Sequence, residues 1–184
     1  RATPDDIGVV GFAVITPEGG GGHSRFAEDE MILGYEDLIC GCKVRGEAFR
    51  IFKRSALAVA PWWTEGLGLL SLRYFEIARH YKYYFINKPA LLYHMNHGGN
   101  LTSAESTIRR AHSMAEGHMK AIGLHRDGWL AACPKVLGMQ LFHAAMYCAI
   151  DGQTSRAFKL SLDSLRHQGP TANNLVLLLS LLLP

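Results

Sequence analysis

Residues 61–102 constrain the fold most strongly, because a helical pattern and a strand-like pattern follow each other there between two polar loops. The helical pattern covers residues 69–81, and its apolar positions recur at the spacing of one helix face: Leu69, Leu72, Phe75, Ala78 and Tyr81. Residues 83–93 are rich in aromatic and aliphatic side chains, which favours extended structure interrupted at Asn87-Lys88-Pro89. The sequence therefore predicts one helix–strand unit with a polar loop at each end.

Both loops carry side chains that suit ligand binding or catalysis. The first loop holds an aromatic pair and a carboxylate beside two glycines: Trp62, Trp63, Glu65, Gly66 and Gly68. The second loop holds imidazole, amide and hydroxyl groups: His94, His97, Asn100 and Thr102. Polar loops mounted on a rigid helix and strand are a common arrangement for functional sites. The sequence therefore places the candidate site at these two loops.

The segments before this unit predict further elements of the same kind. The continuous apolar run over residues 7–15 predicts a buried strand, and the alternation near residues 49–53 predicts a second strand. Between them, an acidic surface segment leads to a short helix near Tyr35. Residues 54–57 predict the start of another short helix, capped by Ser55.

Composition excludes several classes of function. A net charge of +3 over 184 residues is too small to indicate nucleic-acid binding. The four cysteines lack the paired Cys-x-x-Cys spacing of zinc sites, which favours buried thiols in a reducing compartment. The aliphatic run over residues 175–183 is about half as long as a bilayer-spanning helix, so it predicts a core helix.

Four short segments, taken in order, resemble the second half of family-2 glycosyltransferases of the GT-A fold. They are Phe52-Lys53-Arg54-Ser55-Ala56-Leu57, Trp63-Thr64-Glu65, Ile77-Ala78-Arg79-His80-Tyr81-Lys82 and the stretch from Tyr93-His94 to Asn100-Leu101-Thr102. They match the arginine-bearing segment before the acid loop of that family, the loop acids, the end of the next helix and the closing Tyr-x-x-His loop. The order and spacing of the four segments carry the resemblance.

The resemblance implies an α/β fold class, with a partial GT-A domain (the nucleotide-diphospho-sugar transferase fold) followed by an α-helical hairpin tail. Residues 1–103 would form the acceptor-side part of the domain, and residues 104–184 the tail. The Asp-x-Asp metal motif of the family does not occur in the sequence. We therefore expect the chain to be the C-terminal portion of a longer protein whose donor-binding half is not included.

The implied reaction is the transfer of a sugar from a nucleotide-sugar donor to a glycan, lipid-linked or protein acceptor. Such a transfer uses a divalent cation, Mn²⁺ or Mg²⁺, at the leaving diphosphate of the full-length protein. For this portion alone the sequence assigns no cofactor. We expect a cytoplasmic protein, or one held peripherally at the inner membrane face, and no nucleic-acid partner.

The resemblance places the catalytic base at Glu65. In the family, an acid pair at the head of the helix deprotonates the acceptor hydroxyl, but Leu69-Leu70 or Leu70-Ser71 stands at that position here. Glu65 lies shortly before it and can act as the base if its loop folds inward, or it can cap the following helix. Glu76, further along the helix, fits a solvated position better.

Donor binding is expected from His97, Asn100 and Thr102, with His97 also serving as a metal ligand, because imidazole suits both a cation and a diphosphate. The alternative is that these side chains belong to a surface turn. Together, His94 and His97 provide too few ligands for an independent zinc site.

Acceptor binding is expected from Trp62, Trp63 and Arg54, with the two tryptophans forming a platform on which a sugar ring stacks. The alternative for the tryptophans is a pair of partly buried anchors.

The rest of the chain predicts a helical tail. A helix over residues 103–126 leads through a bridge at residues 128–132 to helices over 134–150 and 155–167, and Thr171 caps a final helix. The predicted inward positions include Ile108, Ala111, His118, Ile122, Leu137, Leu141, Ala144, Ala145, Cys148, Ala157, Leu160 and Leu162. The two middle helices resemble a tetratricopeptide-like hairpin, which must pack on its neighbours. An alternative function follows: a degenerate, non-catalytic transferase domain whose helical tail binds a protein partner.

Overall fold

The structure, a computed structural model, describes residues 5–17, 24–41, 43–60, 70–92, 104–169 and 171–182. Its architecture is mixed α/β. The described residues form two compact units. The first consists of residues 5–60 and 71–92, and the second consists of residue 70 and residues 104–182. None of the described helices combines the length and the apolar character that a membrane span requires.

The first unit is built on a four-stranded mixed sheet. Its strands and those of a small ribbon are β1 (Ile7–Ile15), β2 (Arg25–Phe26), β3 (Glu30–Leu33), β4 (Val44–Arg45), β5 (Ala48–Phe52) and β6 (Lys82–Leu92). The sheet order is β3–β6–β1–β5, with β1 and β6 parallel and both edge strands antiparallel to their neighbours. The ribbon pairs β2 with β4. The predicted strands at β1 and β5 are confirmed, whereas the sequence did not predict β3.

The sequence predicted two extended segments, but β6 is one continuous strand. At the predicted break, the pairing of β6 with β1 shifts in register. The pairing with β1 jumps from Ile86 to Pro89 across two consecutive β1 residues. Asn87 and Lys88 therefore bulge out of the ladder, which accommodates a proline that cannot donate a ladder hydrogen bond. The backbone N–H of Asn87 donates instead to the backbone oxygen of Asp29, at 2.7 Å.

Among its described residues, the first unit contains three helices: α1 (Tyr35–Cys40), α2 (Arg54–Ala58) and α3 (Leu70–Ala78). The short helix predicted near Tyr35 is confirmed. The predicted cap at Ser55 is wrong, because α2 already begins at Arg54. Its N-cap is Lys53, whose backbone N–H donates to the oxygen of Gly8 at 2.8 Å and keeps the chain extended up to that residue.

The register divides the sheet into a buried and an exposed face. On the buried face, two rows cross the strands: Leu33–Tyr83–Val9–Phe52 and Met31–Phe85–Gly11–Arg50. Val9, Leu33, Tyr83 and Phe85 are at most 1% exposed and pack with Ile77 of α3. The opposite face carries Ile32, Phe49 and Ile51, which are 39–54% exposed.

The second unit is helical. Its helices are α4 (Ala104–Arg109), α5 (Ala111–Ala132), α6 (Pro134–Ile150), α7 (Thr154–Gln168) and α8 (Ala172–Leu182). The predicted hairpin of α6 and α7 packs on α5 on one side and on α8 on the other. The buried positions confirm most of the predicted stripe, including Ala111, His118, Ile122, Leu137, Leu141, Ala144, Ala145, Cys148, Ala157 and Leu160.

Some predictions for this unit are wrong. The predicted bridge at residues 128–132 is helical, because α5 continues to Ala132 and buries Trp129 completely. Ile108 and Leu162 are exposed, at 60% and 40%. Ile108 lies on α4, which is separate from α5, so it does not share the stripe of the longer helix.

The final helix is not the core helix that its composition predicted. Its aliphatic side chains are 48–65% exposed at Leu175, Val176, Leu179 and Leu182. Its buried residue is instead polar: Asn174 donates through Nδ2 to Ser164 Oγ at 3.2 Å. The predicted cap is confirmed, because Thr171 Oγ1 accepts from the backbone N–H of Asn174 at 3.2 Å.

The cysteines only partly follow the prediction of buried thiols. Cys148 is a fully buried free thiol. Cys40 and Cys133 are each engaged in a disulfide bond, so neither is the free thiol that the sequence predicted.

Candidate functional site

The structure describes one of the predicted site residues, Arg54, which is the exposed first residue of α2. The others lie outside the described residues: Trp62, Trp63, Glu65, His97, Asn100 and Thr102. Glu76 is not a solvated position, since its side chain is 15% exposed and Oε1 lies 3.5 Å from Arg79 Nε.

The sheet register shows where the predicted donor loop begins. Leu92, the last described residue before that loop, lies opposite Ile15 at the carboxyl edge of the parallel pair β1–β6. Arg54 follows Phe52, which lies opposite Val9, towards the amino-terminal end of β1. The strand from Val9 to Ile15 is about 20 Å long. The structure therefore does not bring Arg54 next to Leu92.

A cavity of about 110 Å³ lies on the buried side of the sheet, where β5, α1 and α3 meet. Its lining combines charged, aromatic and small residues, among them Asp37, Gly41, Gly46, Arg50, Tyr74 and Tyr83. Gly41 and Gly46 have φ angles of +63° and +77°, a conformation that glycine adopts without strain. The backbone can therefore turn at these two positions without a side chain that would narrow the cavity.

Arg50 brings a positive charge to this cavity from the buried face of β5. Its Nη1 donates to the backbone oxygen of Ala48 at 3.1 Å. The guanidinium carbon lies 4.3 Å from the centre of the Tyr74 ring, which is a cation–π contact. Its Nε is buried and makes no hydrogen bond to any residue that the structure describes.

Tyr83 holds α3 against the sheet beneath this cavity. Its hydroxyl donates to the backbone oxygen of Tyr74 at 2.9 Å. Burial raises the pKa of Tyr83 well above its usual value. The phenol therefore stays protonated and keeps its hydrogen bond at neutral pH.

Asp37 contributes a carboxylate that is already paired. Its Oδ1 lies 2.9 Å from Lys43 Nζ, and its Oδ2 accepts from the backbone N–H of Gly34 at 3.2 Å. The hydrogen bond from Lys43 holds the pKa of Asp37 below its usual value. Among the described residues that line the cavity, Arg50 therefore carries the charge that no carboxylate neutralises.

The helical unit contains a separate buried polar cluster between α5 and α6. His118 Nδ1 lies 2.9 Å from Gln140 Oε1, and the His118 ring stacks on Tyr147 with its centre 5.5 Å away. Burial lowers the pKa of His118 to about 4 and also lowers that of the neighbouring His143. Both rings are therefore neutral at pH 7. The described ranges contain no group of three or more metal-ligating side chains.

Sequence reasoning missed the cavity, although one signal pointed to it. The alternation along β5 sets Arg50 on the same face as Ala48 and Phe52, and a charged side chain that shares a face with apolar neighbours indicates a special role. The pairing of Asp37 with Lys43 has no comparable local signal, because it depends on how α1 and the following turn fold back on each other.

Comparisons of the chain with protein-family models, with curated proteins and with solved structures give no match. The assignment of a function therefore depends on the residues and the geometry described above.

Proposed function

We propose that the chain is the acceptor-side part of a family-2-like glycosyltransferase of the GT-A type, which moves a sugar from a nucleotide-sugar donor to a glycan, lipid-linked or protein acceptor. One observation carries this proposal. The loop that would bind the donor begins after Leu92, opposite Ile15, at the carboxyl edge of two parallel strands. Ligand sites of open α/β sheets form at this edge.

In this proposal the residues divide into three roles. Glu65 acts as the base that deprotonates the acceptor hydroxyl. Trp62 and Trp63 hold the acceptor by stacking on a sugar ring. The donor diphosphate and its Mn²⁺ or Mg²⁺ ion are held by the closing loop through His97, Asn100 and Thr102. The position of Arg54, towards the other end of these strands, does not favour Arg54 as part of the acceptor site.

Two observations favour a second candidate, a non-catalytic domain whose helical tail binds a protein partner. The first turn of α3 contains no acidic residue, and the family uses an acid pair at this position. The exposed aliphatic side chains of α8 offer a surface for a partner.

A glycan array probed with the purified chain separates the two candidates. The transferase proposal predicts selective binding to one class of glycan. It also predicts that calorimetry with a nucleoside diphosphate and Mn²⁺ shows no micromolar binding, because the sequence has no Asp-x-Asp motif. A chain that retains no glycan on the array supports the non-catalytic candidate instead.

A further inference from the structure

We infer that the cavity beside Arg50 is a binding site for a small oxyanion, a carboxylate or a phosphate group. The inference rests on the geometry of the first unit and does not depend on the proposed sugar transfer. Four properties of the cavity carry it: its net charge, its unused hydrogen-bond donors, its preorganised cation and its size.

The charges around the cavity favour an anion. The described lining has one carboxylate, Asp37, and Lys43 neutralises it at 2.9 Å. The guanidinium of Arg50 has no such partner among the described residues, so the site has a net positive charge. A bound cation would be repelled by Arg50, whereas an anion would complete its pairing.

The donors of Arg50 are largely unused. A guanidinium offers five N–H groups in a planar fork, and the structure satisfies Nη1 through the oxygen of Ala48. The edge formed by Nε and Nη2 makes no hydrogen bond to a described residue, and Nε is also shielded from water. A buried donor without an acceptor is unfavourable. Carboxylate and phosphate groups match this edge, because each accepts two parallel hydrogen bonds from a guanidinium.

The cation is held in place before any ligand arrives. The Tyr74 ring lies 4.3 Å from the guanidinium carbon, and the Phe85 ring lies 6.0 Å from it on the buried face. Gly11 makes this packing possible, because the Phe85 ring occupies the position that a Cβ atom at residue 11 would take. A side chain fixed in this way loses little conformational entropy when a ligand binds.

The size of the cavity limits the ligand. Its volume of about 110 Å³ is smaller than the roughly 150 Å³ of a protein cavity that holds one benzene ring. This accommodates a carboxylate or a phosphate group and does not accommodate a whole sugar ring. The ligand is therefore a small anion, or the anionic end of a larger molecule.

Nuclear magnetic resonance tests the site directly through the Nε–Hε signal of Arg50. The ¹⁵N-labelled chain is titrated with sodium phosphate and separately with sodium acetate, at constant ionic strength. We expect a saturable shift of this signal with at least one of the two anions. The anion with the lower dissociation constant identifies the preferred group as tetrahedral phosphate or planar carboxylate.

Two arginine-to-lysine variants show whether the planar guanidinium group of Arg50 is responsible for anion binding. In Arg50→Lys the charge remains but the planar fork is lost, so we expect the affinity, followed on backbone amides near the cavity, to fall about tenfold or more. Arg45→Lys makes the same exchange at an exposed residue of β4 and should leave the affinity unchanged.

A second measurement covers the case in which Arg50→Lys perturbs folding. Phosphate or acetate at saturation should raise the melting temperature of the unaltered chain, because a ligand that binds the folded state stabilises it. A resonance shift of Arg50 that grows linearly with both anions, or equal affinities for Arg50→Lys and the unaltered chain, would overturn the inference. Arg50 would then serve only to pack on Tyr74.

Discussion

The helical unit and the sheet unit bury their side chains by different rules. In α6, burial recurs every three or four positions, as Leu137, Leu141 and Ala145 show, so it follows one local period. In the sheet, the surroundings of Arg50 depend on its pairing with Gly11 of β1, which lies far away in the sequence. A local sequence pattern therefore predicts the packing of a helix well. The burial of a charged side chain in a sheet can be predicted only once the pairing of the strands is known.

The two units also differ in which ionisable groups they bury. The helical unit holds two neutral imidazoles, the buried His118 and the half-buried His143. In the sheet unit, two carboxylates near the surface are paired with lysines: Lys43 lowers the pKa of Asp37, and Lys82 lowers that of Asp6. These differences predict that mild acid destabilises the helical unit more than the sheet unit.

The largest expected effect is a loss of stability of the helical unit between pH 6.5 and about 4. Burial lowers the pKa of His118 to about 4 from the value of 6.5 expected when unfolded. In this window the unfolded state holds the extra proton, so stability falls as the pH falls, by about 3 kcal/mol for this residue. Below about 4 both states are protonated and the loss ends. Hydrogen exchange of the α5 and α6 amides measures it.

The matched controls sharpen this prediction. His118→Phe keeps the stacking on Tyr147 and should remove most of the pH dependence, whereas His80→Phe changes an exposed histidine of the sheet unit and should not. His112 changes the stability in the opposite direction, because Asp151 raises its pKa. The stability that this pair contributes is lost as the pH rises through that pKa. Equal loss of protection in both units at pH 4.5 would contradict the account.

A smaller effect is expected at Gly138, where α6 and α7 approach each other closely. A Cβ atom there would lie 2.8 Å from the backbone nitrogen of Gln168. Ser164 Oγ donates to the oxygen of Gly138 at 2.7 Å and holds the two helices together at this point. Gly138→Ala should therefore lower the free energy of unfolding by about 1–3 kcal/mol, as measured by urea denaturation.

The smallest effect is expected from the matched change on α5. A Cβ atom at Gly123 has no neighbour within 4 Å among the described residues. Gly123→Ala should raise the free energy of unfolding by up to about 1 kcal/mol, because alanine has the higher helix propensity. If the two alanine variants change stability by the same amount, the close approach at Gly138 is not as the structure shows it.

The sequence predicted most helices and the central strands, because their apolar periods are local. It did not predict β3, whose buried Met31 and Leu33 depend on pairing with β6. It also predicted a buried α8 from aliphatic composition alone, although the faces of α6 and α7 are largely covered by each other and by α5.

The candidate site was less predictable than the fold. The alternation along β5 could have indicated Arg50, but the cavity also needs the turns at Gly41 and Gly46 and the ring of Tyr74 on α3. These parts come from separate segments, and no local period relates them. The roles of Trp62, Glu65 and the closing loop remain predictions from the resemblance.

Acceptor binding tests the central claim, the proposed acceptor side of a glycosyltransferase, most directly. The glycan selected on the array is titrated into the unaltered chain and into variants with Trp62→Ala and Trp63→Ala, with Phe49→Ala as a control at an exposed aromatic residue of β5. The account predicts that the tryptophan variants lose about tenfold or more in affinity, since aromatic contacts dominate such sites, and that the control binds normally. Equal affinity in all variants, or no glycan bound by the unaltered chain, would contradict it.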